Sequence, residues 1–172
     1  MNLKQNHFEL FGLPENFALD VAALDWVYRE VQSRVHPDKF AHAGDAERRL
    51  SMQMATQANE AYRTLKEPLA RARYLLALHG VDIQSETITA MPAEFLVQQM
   101  EWREAVEEAA GQSDVLDRLA GRLKNEMQQL TTEIGRELNA ADYARAAEAV
   151  RKLMFLDRLR EEIGDALERL DA

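Results

Sequence analysis

Apolar residues recur at intervals of four and three along most of this chain, and that spacing commits it to helices that each bury one face. Leu24, Tyr28, Val31 and Val35 follow +4, +3, +4, while Leu116, Ala120, Leu123, Met127, Leu130, Ile134 and Leu138 alternate +4 and +3 before a final +4. Only a helix of about 3.6 residues per turn brings such positions onto one side. Sustained period-two alternation and the Asn-Gly or Asp-Gly pairs of tight hairpins are missing from the sequence, so no strand is expected. The fold class is all-α.

Proline and glycine divide this pattern into elements. Asp20 is placed to cap a helix of about 16 residues, and Pro37 disfavours helical geometry at His36 and ends it there. After a polar loop to Gly44, a second helix presents Leu50, Met54, Ala58, Ala61 and Leu65 and returns antiparallel to the first. Pro68 opens a short third helix, Leu69 to His79, closed by Gly80. Residues 81–91 lack a clear period and read as a connection. Pro92 opens a helix ending near Gly111, Ser113 caps a longer one, Asn139 to Asp142 form a turn, and the last helix offers Val150, Leu153, Leu156, Leu159, Ile163 and Leu170. Three such antiparallel helices bury their seams in an elongated bundle. The expected division is 1–76, a connection over 77–90, and a bundle over 91–172.

Charge supports the division. Residues 1–80 hold ten Lys+Arg and ten Asp+Glu, whereas residues 81–172 hold eleven and twenty, so the whole net charge of −9 falls in the second part. Neither part carries the basic stripe through which phosphate contacts supply nucleic-acid affinity. The chain has no cysteine, which removes disulfides, thiol nucleophiles, thiolate zinc sites and cysteine-held clusters on this chain. The longest apolar runs are far short of the ~20 residues a bilayer span needs, and the opening residues contain no secretory core. A cytoplasmic protein without cofactor is expected, with neither nucleic acid nor membrane as partner, and a monomer.

The loop at His36-Pro37-Asp38 has the chemistry of a recognition corner. Proline fixes its own φ and holds the preceding residue extended, so the imidazole and the carboxylate stand at a stiff tip with little entropy left to lose on binding. Asp38 can accept a charge-assisted bond from a partner arginine. Lys39, Arg34 and Arg29 are candidates for a small basic face at this end, although Glu30 and Asp25 interrupt the same helix. His36, Asp38 and His42 also allow a metal reading, but three groups on one loop without a closing ligand make a poor cage. No catalytic triad order, phosphate loop or paired-carboxylate pocket stands out, so the chain is not expected to be an enzyme.

On the helix after Pro92, Phe95, Trp102, Val106 and Ala109 cluster within about 40° of one direction at ~100° per residue, and form its core stripe. Leu96, Val97 and Met100 lie ~100° to 200° away, with Glu101 and Glu104 sharing or flanking that outer face. Phe155 of the last helix lies ~140° from Val150, off its seam. These leftover apolar residues either form a partner surface or pack on a neighbouring element.

Two resemblances carry the reading further. A short helix around Phe8-Glu9-Leu10-Phe11-Gly12-Leu13, a longer helix, the His36-Pro37-Asp38 loop and a helix containing Asn59-Glu60-Ala61-Tyr62 together resemble the J-domain of DnaJ-type co-chaperones. Adding His36-Pro37-Asp38-Lys39-Phe40, the stretch Arg73 to Gly80, Phe95-Leu96 and Arg151 to Asp157, the whole chain looks like the HscB family of iron–sulfur cluster co-chaperones. That resemblance implies an L-shaped, two-domain adaptor of the bacterial type. Residues 29, 34 and 36–39 would engage the DnaK-type chaperone HscA and stimulate its ATPase. Leu96, Val97, Met100, Glu101, Glu104 and Phe155 would hold the cluster scaffold protein IscU. A J-domain adaptor for a different client, and a metal protein centred on His36, Asp38 and His42, are the alternatives.

Overall fold

The structure of the protein, a computed structural model, describes residues 5–40, 42–83 and 91–171. Every regular element among the described residues is a helix, and none is a strand. The chain divides into two compact units, Met1–Leu75 and Leu76–Ala172.

The first unit opens with the short helix α1, His7–Phe11. Asn6 caps it reciprocally: the Glu9 N–H donates to Asn6 Oδ1 at 2.8 Å and the Asn6 N–H donates to Glu9 Oε2 at 2.9 Å. Gly12 ends it at φ 63°, a left-handed conformation that suits glycine. Helix α2 spans Val21–Val35 and is capped as expected, with Asp20 Oδ1 accepting from the N–H groups of Ala22 and Ala23 at 2.9 and 3.2 Å. One 3₁₀ turn, Pro37–Phe40, leads towards α3, Asp45–Lys66, which is followed by α4, Pro68–Leu78.

Helices α2 and α3 form an antiparallel hairpin in which Leu24, Val31 and Val35 meet Ala58, Ala61 and Leu65, all buried. The alanines let the helices approach closely, and polar groups then lock the register. Tyr28 and Tyr62 stack at 4.0 Å, the Tyr28 hydroxyl donates to Asn59 Oδ1 at 2.8 Å, and Tyr62 donates to Asp25 Oδ1 at 2.8 Å. Lys66 Nζ reaches the same Asp25 oxygen at 3.1 Å. The stripe of α3 departs from expectation at its start: Leu50 is exposed and Ser51 takes the buried position. Helix α2 stops at Val35, against Ser51, so no further turn remains to cover Leu50. Buried Arg71 donates to the Leu65 carbonyl at 2.7 Å, satisfying a group at the end of α3, and its guanidinium lies 5.0 Å from the Phe17 ring centre.

The second unit contains the end of α4, then α5, Ala93–Glu108, α6, Ser113–Asn139, and α7, Tyr143–Asp171. Gly80, at φ 78°, turns the chain after α4, and His79 stacks on Tyr143 at 4.4 Å. The expected connection 77–90 therefore begins within α4, and its residues 84–90 lie outside the described residues. Helices α6 and α7 pair along their length as an antiparallel hairpin, burying Leu116, Leu123 and Ile134 against Val150, Leu156 and Ile163. Helix α5 runs antiparallel to α6: Gln98 and Trp102 both reach Glu126, and Arg122 lies 4.3 Å over the Trp102 ring.

Three boundary details differ from expectation. Pro92 is the N-cap of α5 rather than its first residue, and Gln112 rather than Ser113 precedes α6, with no side-chain cap there. Leu170 is exposed, because α7, at 29 residues, is longer than the 27-residue α6 that would cover it.

Candidate functional site

The corner after α2 is assembled by the proline. His36 sits at φ −59°, ψ 127°, the extended geometry expected before Pro37. The Lys39 N–H donates to the His36 carbonyl at 3.0 Å, closing the 3₁₀ turn. The Asp38 N–H donates to His36 Nδ1 at 3.3 Å, and Asp38 Oδ2 lies 3.5 Å from the same ring nitrogen. The imidazole is thus tied to the backbone of the corner through the Asp38 N–H, while the Asp38 side chain remains 89% exposed. From below, Ser51 of α3 donates its hydroxyl to the Val35 carbonyl at 2.7 Å.

The basic residues do not gather into one face. Lys39 belongs to the corner turn itself. Arg34 pairs with Glu30 at 3.8 Å, and Arg29 Nε donates to the Asp25 carbonyl of its own helix at 3.1 Å. Arg29 and Arg34 stand about 140° apart around α2 at ~100° per residue. Exposed Trp26 lies on the Arg29 side, about 60° away. Among the described residues, no group of three His, Asp or Glu side chains is arranged to hold a metal ion, so His36, Asp38 and His42 do not form a cage.

On α5 the expected inward stripe is present: Phe95, Trp102 and Ala109 are buried and Val106 is half-buried. Trp102 is held by its indole N–H, donated to Glu126 Oε2 at 3.3 Å, and Gln98 donates to the other oxygen at 2.7 Å. With that side committed, Leu96, Val97 and Met100 project outward at 39%, 55% and 70% exposure. Glu101 and Glu104 are exposed beside them. Phe155 is not part of this open surface. It is 9% exposed, packed edge-on against Phe95 at 5.7 Å, with Arg103 5.8 Å from its ring centre. Of the two expectations for Phe155, packing on a neighbouring element is the one the structure shows: α7 has two neighbours, and α5 covers the side that α6 leaves open.

Comparison with known proteins places the chain in one family. Residues 91–164 match the family model described as the HSCB C-terminal oligomerisation domain. Proteins described as co-chaperone protein HscB homologues from Burkholderia multivorans and Burkholderia vietnamiensis are each 54% identical over 173 residues, covering 99% of this chain and 99% of theirs. Among solved structures, the chaperone HscB from Vibrio cholerae superposes with a TM-score of 0.86 at 36% identity, over 96% of this chain and 99% of that one. Human co-chaperone protein HscB gives a TM-score of 0.93 at 28% identity, over 100% of this chain and 86% of that one. With full-length identity at this level and the corner and bundle both present, the chain belongs to the HscB family of iron–sulfur cluster co-chaperones.

Proposed function

We propose that this protein is the adaptor that brings the scaffold protein IscU to the DnaK-type chaperone HscA and triggers ATP hydrolysis there. The J-domain, residues 1–76, engages the chaperone, residues 77–90 connect, and the bundle, 91–172, holds the scaffold. One observation carries the reading: Leu96, Val97 and Met100 stay exposed on a helix whose buried side is already filled by Phe95 and Trp102. Apolar side chains kept in water on an otherwise satisfied helix fit a partner's apolar surface, and Glu101 and Glu104 beside them fit basic groups around it. At the other site, a carboxylate held at a stiff corner suits a buried arginine contact on the chaperone. Hydrolysis is the partner's chemistry; this chain contributes position, and tethering both partners raises their effective concentration. No helix among the described residues is long and apolar enough to cross a membrane, and we assign the protein to the cytoplasm.

The test is the steady-state ATPase rate of purified HscA with and without this protein and IscU. Asp38→Asn keeps the helical circular-dichroism spectrum and loses at least tenfold in stimulation; a variant that stimulates like the parent removes the corner from the mechanism. Leu96→Ser combined with Met100→Ser weakens capture of IscU at least tenfold with the bundle intact. Burial of two such side chains is worth about 1.5–3 kcal/mol each when complete, so undiminished capture rejects the face. Phe155→Ser is unsuitable for this purpose, since it opens a hole against Phe95.

A further inference from the structure

The corner has a fixing point that its motif does not contain. A helix leaves its last carbonyls without intrahelical donors, and Val35 is the last residue of α2. The N–H four residues on belongs to Lys39, and it is committed to the His36 carbonyl. Ser51, on the facing helix, supplies the donor: its hydroxyl lies 2.7 Å from the Val35 carbonyl oxygen. Ser51 is 3% exposed and shares its helix face with Ala58, Ala61 and Leu65. It thus occupies a core position where an apolar residue would otherwise fit. A serine in a helix can satisfy itself on the carbonyl one turn back; this one reaches across the hairpin instead. The peptide carbonyl immediately before His36 is therefore tied to α3, and the direction in which the chain leaves α2 is set by that tie.

We infer that Ser51 is the positioning residue of the His36-Pro37-Asp38 corner, holding the Val35 carbonyl so that Asp38 is presented in the orientation the chaperone accepts. The inference rests on the reading of the corner as the chaperone-docking element. Loss of a buried neutral hydrogen bond changes a conformational equilibrium by roughly five- to tenfold. If only a fraction of corners is competent, apparent affinity falls by that fraction while the rate at saturation is retained.

The experiment uses the full chain with Ser51→Ala and, as a control of comparable structural loss far from the corner, Tyr62→Phe. The first readout is amide hydrogen exchange at Asp38 and Lys39 measured by NMR without any partner. Ser51→Ala accelerates it several-fold and Tyr62→Phe leaves it unchanged. The second is HscA ATPase titrated with each protein. Ser51→Ala raises the half-maximal concentration about fivefold with the maximal rate preserved, whereas Tyr62→Phe keeps both. Unchanged exchange in Ser51→Ala overturns the tie, and faster exchange with an unchanged titration overturns its role in docking. Equal effects of the two variants reduce Ser51 to general stability and also overturn the proposal. A parent protein that fails to stimulate HscA removes the docking reading instead, while the exchange arm still decides whether Ser51 fixes the corner.

Discussion

At the scale of single residues, the clearest local tension is in the turn between α6 and α7. Ala141 adopts φ 55°, the left-handed region, and no other non-glycine among the described residues does so. The conformation is held because the N–H groups of Ala140, Ala141 and Asp142 donate to the carbonyls of Arg136, Leu138 and Glu137, closing the end of α6. An L-residue in this region costs about 1 kcal/mol more than glycine. Ala141→Gly is therefore expected to stabilise the protein by about 0.5–1 kcal/mol, part of the gain being returned as unfolded-chain entropy. Thermal unfolding then shifts upward by a few degrees; a lower midpoint contradicts the account. The same scale separates the legible from the illegible in the corner. Pro37 announces the extended His36 and the exposed Asp38, because its constraint acts on its immediate neighbour. Ser51 carries no such signal, since a serine within an apolar stripe shows its partner only when the second helix is in place.

At the scale of elements, the hairpin of α2 and α3 depends on a polar clamp around Asp25. The Tyr62 hydroxyl first, and then Lys66, hold the Asp25 carboxyl below its ordinary value of 3.8 by stabilising the charged form. The Tyr62 hydroxyl first, and then Asp25, in turn push the Lys66 ammonium up from 10.5. The sign of the carboxylate effect follows from linkage. A depressed carboxyl binds fewer protons in the folded state, so its contribution is present above about pH 3.8 and is lost as pH falls below it. Urea unfolding at pH 6 and pH 3 is expected to show this loss, and Tyr62→Phe is expected to lower stability at pH 6 while reducing the difference between the two conditions. An undiminished difference in Tyr62→Phe removes Asp25 from the acid response. The tetrapeptide Asn59-Glu60-Ala61-Tyr62 gains its meaning here: Asn59 and Tyr62 bond α2, and Ala61 lets it approach. Sequence inspection identifies the tetrapeptide but not its partners Tyr28 and Asp25, which lie more than thirty residues away.

Across the whole molecule, charge is distributed unevenly between the two parts. Residues 1–80 balance ten basic against ten acidic residues, while 81–172 carry the entire net −9. On the proposed function, the face that presents Leu96, Val97 and Met100 beside Glu101 and Glu104 would gain speed of encounter from that field and durability from apolar contact. Raising the salt from about 50 to 500 mM, where the screening length falls well below 10 Å, is therefore expected to slow association with IscU several-fold. Dissociation changes much less. Stopped-flow association rates check this, and a salt-independent rate removes the acidic face from the encounter. Phe155 takes another place in this picture: with Phe95, Arg103 and Lys152 it forms the seam that keeps α5 seated on α7.

The helices and their breaks, the stiff corner and the stripe by which each helix is buried are legible in the order of the residues alone. All of these follow from spacings of a few residues and from the backbone limits of proline and glycine, which act locally. Which side chains at the margins are covered is settled by the packing of one helix on another. Leu50 and Leu170 lie exposed because the neighbouring helix stops short, Ser51 is buried because α2 ends beside it, and Phe155 is enclosed because a second helix reaches it. A side chain's burial at such places depends on the length and register of another element, and periodicity within one helix contains no measure of either.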